Sequence, residues 1–358
     1  MREELLLVGN PDPIHIGAHL QHAANELGVK TVVCNMTEAY VGPLWKNRVN
    51  WWLRGRLPTR LREFSAKVLE MCRDLRPAWL LATGIAPLEE AALTEIGKLD
   101  ICRLNYLTDD PWNPVHRAPW FLRAVPRYDY VFSPRRTNLG DLRRLGCASA
   151  CYLPFAYAPQ SHYPETLESA EHRRLQSDII FAGGADRDRV PYIQSLIEAG
   201  FNVALHGGYW DRHSQTAPFA RGQADPATLR KAVGAAKVAL CLVRRANRDG
   251  HVMRSFELPA MGACMLTEYT EEHREIFGDD GETVAFFRER DEMVEKLQWL
   301  LAHDADRKRL ADAAHRRITA GKNTYRDRLE TILESVKTCR HNGIGPGWRR
   351  RLAERAGI

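Results

Sequence analysis

The chain has 358 residues, more than one ordinary domain holds, so two domains of roughly 150–180 residues are expected. Hydrophobic residues at 44% and charged residues at 27% exclude extended disorder. A net charge of +6 suits anionic small molecules or an anionic membrane surface, and it is too slight for nucleic acid as a partner.

No secretory signal precedes the first strand pattern at Glu4, and no apolar run approaches the roughly 20 residues that span a bilayer. Cys34, Cys241 and Cys264 sit in apolar runs and read as reduced core residues. Cys147 and Cys151 are four apart, with no second close pair to complete a zinc site. A reducing, cytoplasmic location is expected.

Short apolar runs alternate with helical patterns along the chain, which predicts parallel βαβ units. ELLLVG (4–9) reads as a strand, NPDPIH as a loop, and 16–27 as a helix ended by Gly28. Strands follow at 30–34, 78–84, 102–110 and 128–134, with helices at 62–75, 88–98 and 139–145. CYLPFAYAP (151–159) has two prolines and no periodicity, and reads as an inter-lobe linker. A second α/β series then begins, with strands at 177–182, 201–207, 237–243, 263–268 and 282–287. Its helices are expected at 191–199, 227–235, 253–262, 291–303, 305–319 and 323–337. Two such lobes would enclose a cleft at the carboxyl ends of their strands. No Gly-x-Gly-x-x-Gly follows strand 4–9, which argues against a dinucleotide oxidoreductase.

The stretch SFELPAMGACMLTEYTEEHREIFGDDGETVAFF resembles the donor lobe of GT-B glycosyltransferases, closest to the spore-maturation CgeB-like group. DADRKRLADAAHRRITAGKNTYRDRLETIL (304–333), NYLTDDPW and DIIFAGGADRDR extend the likeness over most of 100–335. The resemblance implies an α/β GT-B fold, with an acceptor lobe over 1–155, a donor lobe over 156–338 and a basic tail over 339–358. It implies transfer of a sugar from a nucleotide-diphosphate sugar to an acceptor hydroxyl, with retention, in polysaccharide or glycoconjugate biosynthesis. A nucleotide-sugar epimerase of the same fold, or a degenerate nucleotide- or glycan-binding module, is the alternative.

A ribose diol needs a carboxylate acceptor, and Glu257 at the head of helix 253–262 is the candidate. Retaining GT-B enzymes bracket this helix start with two acids eight positions apart. Here the earlier one is Asp249 rather than Glu, and by resemblance it would hold sugar hydroxyls. Between them the N–H groups of Gly250, His251 and Val252 are expected to open the helix towards a diphosphate, with Arg254 adding charge. Gly183, Arg187 and Arg189 offer a second phosphate loop, and of the two arginines Arg189 better matches the CgeB-like spacing. Asp186 and Asp188 spell Asp-x-Asp between basic residues, where a metal role is not expected; neither a metal nor a resident cofactor is called for. His206, with the Tyr209-Trp210 pair, either stacks on the base or packs the lobe surface.

On the acceptor side Asp109 and Asp110 end a strand beside Trp112, and either carboxylate can serve as base or acceptor contact, or cap the turn. His15, and His19 one helical turn on, are further candidates. The acceptor class stays open between a sugar, a lipid-linked and a small-molecule hydroxyl. Residues 45–56 mix three tryptophans with four cations. That stretch either rests on an anionic bilayer at the inner membrane face, helped by Arg349 to Arg351, or packs its tryptophans under the first lobe. The packed arrangement is the expected one.

Overall fold

The runs ELLLVG and WLLAT are almost wholly apolar and buried along their full length. Parallel strands read this way when helices cover both faces of their sheet. In the computed structural model the described residues are 4–341, with side chains described to residue 336.

The first unit contains β1 (Glu4–Gly9), α1 (Ile16–Glu26), β2 (Lys30–Asn35), α2 (Leu44–Leu53), α3 (Leu61–Leu75), β3 (Trp79–Thr83) and α4 (Glu90–Gly97). It continues through β4 (Cys102–Tyr106), α5 (Pro119–Ala124), β5 (Tyr130–Ser133), α6 (Arg136–Arg144) and β6 (Ala150–Tyr152). Its six strands are parallel in the order β2-β1-β3-β4-β5-β6, with Leu6 opposite Val32 on one side and Leu80 on the other. Leu6, Val8, Leu80, Phe64 and Phe121 share one buried core.

The second unit holds α7 (Ser169–Leu175), β7 (Ser177–Ala182), α8 (Val190–Glu198), β8 (Val203–His206), β9 (Ala220–Gly222), α9 (Pro226–Ala235) and β10 (Ala236–Cys241). After these come α10 (Arg254–Ala260), β11 (Met265–Glu268), α11 (Glu271–Phe277), β12 (Ala285–Phe287), α12 (Arg290–Ala302) and α13 (Asp304–Thr319). Its sheet runs β12-β11-β10-β7-β8-β9, again all parallel. The chain starts in the middle of each sheet and winds out both ways, so strand order reverses between β1 and β3 and between β7 and β10. Open α/β sheets bind ligands at such reversals, beyond the carboxyl ends of the strands.

The structure corrects several expectations. The final helix, α14 (Tyr325–His341), was expected with the second lobe; it belongs to the first unit, where the Tyr325 ring stacks on His19 of α1 at 5.0 Å. The units divide after Pro154 and again after Thr324. The apparent linker begins as a strand, because Cys151 and Tyr152 form part of β6 and pair with Phe132 and Ser133 of β5. Strand 102–110 ends at Tyr106, and the chain then turns through Asp110, whose Oδ1 accepts the Trp112 N–H at 3.0 Å. Helix α2 carries no inward apolar stripe, so periodicity does not reveal it. The basic tail with Arg349 to Arg351 lies outside the described residues.

Cys34, Cys241 and Cys264 are buried as expected, and burial pushes the Cys241 thiol up to about 11 and the Cys264 thiol up to about 12, so both stay protonated. Among the described residues no helix is long and apolar enough to cross a membrane.

Candidate functional site

In the second unit the reversal between β7 and β10 gathers the charged residues that follow those strands. Arg189 is buried there, and its guanidinium donates to Leu242 O after β10 (3.2 Å) and more weakly to Gly184 O after β7 (3.4 Å). It therefore ties the two strand ends together, and burial with the neighbouring Arg244 lowers its pKa. Arg187 points to solvent. Asp186 accepts the N–H groups of Asp188 (3.0 Å) and Arg189 (2.9 Å) through Oδ1, while Oδ2 faces Arg244 Nε at 3.4 Å. The Asp-x-Asp sequence is thus a loop cap neutralised by arginines. Among the described residues no group of three or more metal-ligating side chains comes together.

Glu257 is 1% exposed. A carboxylate so placed stays charged only with partners. Arg254 Nη1 pairs with its Oε2, and His162 Nε2 lies 3.8 Å from Oε1. His162 accepts the Ala158 N–H on Nδ1 (3.0 Å), so its proton sits on Nε2 and points towards the glutamate. Arg254 also donates through Nε to Ala182 O at the end of β7 (3.2 Å), which holds the acid-base pair over the strand reversal. Arg254 is thereby a member of the cluster and not a solvated helix-face cation.

The loop before α10 differs from expectation. The helix starts at Arg254, so Gly250, His251 and Val252 precede it and do not open it. The Val252 N–H is bonded to Ser255 Oγ at 3.0 Å. The His251 imidazole is fully buried, with Nδ1 donating to Glu272 (2.6 Å) and Nε2 accepting the Phe155 N–H (3.1 Å). A Cβ on Gly250 would meet the Glu272 carboxyl carbon at 2.4 Å, so glycine is what lets this loop lie on α11. Asp249 remains beside the arginines, close enough to Arg189 to favour its charged form.

His206 ends β8, and its buried Nδ1 has no hydrogen-bond partner. Burial, with Arg221 and Arg254 nearby, lowers its pKa. Its carbonyl takes the Gly183 N–H at 2.8 Å, so that amide is spent within the sheet and is not a phosphate donor. Trp210 is buried, donates to Gly183 O (2.8 Å) and packs edge-on against Phe181, which makes it structural. Tyr209 is exposed at φ 72°, a strained setting for a side chain, with the Arg212 guanidinium 4.2 Å over its ring.

In the first unit Asp110 is fully buried as the turn cap described above, whereas Asp109 is half-buried and within 3.4 Å of Thr108 Oγ1. Trp112 is half-buried against the core, and His15 is exposed at the start of α1. Buried Arg135 donates to Thr108 O at 2.7 Å, holding the loop that carries Asp109. Arg135 and His162 were missed, since neither lies in a periodic or motif context. Arg244 was missed as well, although its position just past the end of strand 237–243 was a signal that could have found it.

Buried His273 underpins α10. Its Nδ1 donates to Glu268 O (2.8 Å), so Nε2 accepts the Ser255 hydroxyl (2.7 Å), whose oxygen holds Val252. Burial pushes this imidazole down to about 4 from 6.5. Between pH 6.5 and about 4 the unfolded chain takes up a proton that the folded histidine refuses, so stability falls as pH falls. The loss from this group reaches up to ~3 kcal/mol. His162 and His206, whose pKa values are also lowered, act in the same direction. Denaturant titrations across this range are expected to show a shallower acid loss for His273→Gln than for the parent, and equal slopes would refute the assignment.

Residues 189–334 match the family described as glycosyl transferase-like. No curated protein matches the chain. Among solved structures, sucrose-phosphate synthase from Thermosynechococcus elongatus is similar at TM-score 0.69 and 13% identity, over 95% of this chain and 100% of that one. Anabaena Alr3699/HepE in complex with UDP-glucose gives 0.61 and 12%, over 93% and 99%. Trehalose 6-phosphate synthase from Burkholderia multivorans gives 0.64 and 11%, over 96% and 98%. The two six-stranded parallel sheets are those of the GT-B fold, and the stretch similar to the glycosyl transferase-like family covers most of the second unit and the start of α14.

Proposed function

We propose that this GT-B glycosyltransferase moves a sugar from a nucleotide-diphosphate sugar to an acceptor hydroxyl, with retention and without a metal ion or resident cofactor. The observation that carries the reading is Glu257, a buried carboxylate held between Arg254 and His162 at the strand reversal of the matched domain. A ribose diol donates hydrogen bonds that a carboxylate accepts, and Glu257 is paired with the Arg254 guanidinium on one side and faced by the Nε2 proton of a neutral His162 on the other.

Arg189, Arg244 and Arg254 give the reversal a positive field, which favours the negative charge that builds on the leaving diphosphate as the glycosidic bond breaks. The unpartnered Nδ1 of His206 is a further polar group for the donor. Asp249 would take sugar hydroxyls. Asp109 is the more accessible acid of its pair and the better acceptor contact, since Asp110 serves as a cap. HepE, solved with UDP-glucose, supports a uridine nucleotide among the donors to try first. The SFELPAMG stretch supports placement near the CgeB-like group, and the buried thiols support a cytoplasmic setting.

The test is thermal stabilisation by UDP-, GDP-, TDP- and CMP-sugars, followed by assay of nucleotide release with and without EDTA. One donor is expected to stabilise the chain and to be turned over equally with chelator present. Loss of activity in EDTA with rescue by Mg²⁺ or Mn²⁺ would overturn metal independence. Conversion of the donor without nucleotide release would instead identify an epimerase, and binding without any turnover a degenerate module.

A further inference from the structure

Helix α2 is built inside out. Its asparagines face the protein: Asn50 is buried and donates to Thr59 Oγ1 (3.3 Å), and Asn47 donates to Tyr40 O (3.2 Å). Its large apolar side chains face solvent, with Leu44 82%, Trp45 68%, Trp52 77% and Leu53 80% exposed. Lys46, Arg48 and Arg54 stand exposed among them, and half-buried Arg56 lies over the Trp51 ring at 5.2 Å. Between Glu38 and Glu63 the chain has six Lys and Arg and no acid, which equals its entire +6 excess; the remaining 45 basic residues balance the 45 acidic ones.

We propose that α2 docks the chain on an anionic lipid bilayer, with its tryptophans and leucines at headgroup depth and its cations against lipid phosphates. Tryptophan belongs at that interface because its ring is apolar and its N–H is polar, and long basic side chains reach outward to phosphate. The charge pattern selects this occupant over protein. The core of a protein interface is depleted of charge, whereas here cations are interleaved with the exposed apolar residues. A second copy pairing through the same face would set Lys46, Arg48 and Arg54 against their own counterparts, and α2 itself carries no acid to offset them. The inference does not depend on the donor reading.

Flotation of the full chain with vesicles tests it. Binding is expected to vesicles containing about 30 mol% phosphatidylglycerol and not to pure phosphatidylcholine. About 0.5 M salt should release the chain, because screening weakens attraction to the surface. Trp45→Ser/Trp52→Ser and Lys46→Glu/Arg48→Glu should each lower partitioning roughly tenfold or more. Both pairs of substitutions lie on exposed side chains, so the unfolding midpoint should not move. Failure of the parent chain to float, equal flotation with neutral vesicles, or a dimer in light scattering that both variants abolish would overturn the proposal. None of these outcomes bears on nucleotide-sugar binding.

Discussion

Glu257→Gln is expected to lower kcat/KM for the preferred donor by roughly 30- to 1000-fold, or ~2–4 kcal/mol, the usual cost of removing one member of a buried, hydrogen-bonded charge pair at a binding site. Glutamine keeps the shape of the side chain and loses its charge. The Arg254 guanidinium would then lack its Oε2 partner while still donating to Ala182 O, and the ribose would meet an amide in place of a carboxylate. Arg254 is one-third exposed and can take up water, so the loss should fall on donor affinity and turnover more than on folding. Donor titration and steady-state kinetics read this directly. A variant that binds and turns over donor like the parent would remove Glu257 from the site.

Gly207→Ala is expected to destabilise the second unit by on the order of 3 kcal/mol or more. Gly207 has φ 144°, and a Cβ there would lie 2.3 Å from the Gly183 carbonyl oxygen. Both partners are backbone at the ends of adjacent strands, so no side chain can swing away to relieve the clash. The same carbonyl holds the Trp210 indole, so the distortion would reach the core beside Phe181. For a unit of this size the melting midpoint should fall by roughly 6–12 °C. Gly208→Ala is the matched control, since its nearest neighbour is a flexible Gln223 side-chain atom at 3.9 Å, and it should change little. Equal melting of the two variants would show that the loops separate easily.

Nearly every strand was legible because parallel strands buried on both faces are written as continuous apolar runs, as ELLLVG, WLLAT and KVALC show. Strand ends were less so. β4 ends at Tyr106: the Leu107 N–H makes the last bond to β5, at Phe132 O, and the chain then turns through Asp110, whose carboxylate caps the turn. Helix α2 was hidden for a different reason: its apolar residues point outward, so the pattern that announces a core-facing helix is absent, and the expected burial of its tryptophans is reversed.

Within the site, Glu257 and Arg254 could be picked out from residue type and their place after a strand, because charge at the end of a buried parallel strand is where such sheets meet ligands. The roles of the other residues depended on partners far away in the chain. Arg189 reads in sequence only as a loop cation, and its tie across the strand reversal becomes visible with Leu242, 53 residues on, which accepts one of its N–H groups. His251 reads as a backbone amide of the helix opening until the helix is found to start at Arg254, with the His251 imidazole buried between Glu272 and Phe155. His162 is silent in sequence and becomes meaningful only 3.8 Å from Glu257. Apolar period and turn chemistry are local properties, so the order of residues alone determined two doubly wound sheets and the strand ends that carry charge. Which of those charges stand open to a ligand and which are consumed in holding loops together is a matter of long-range contact, and the tertiary structure alone decided it.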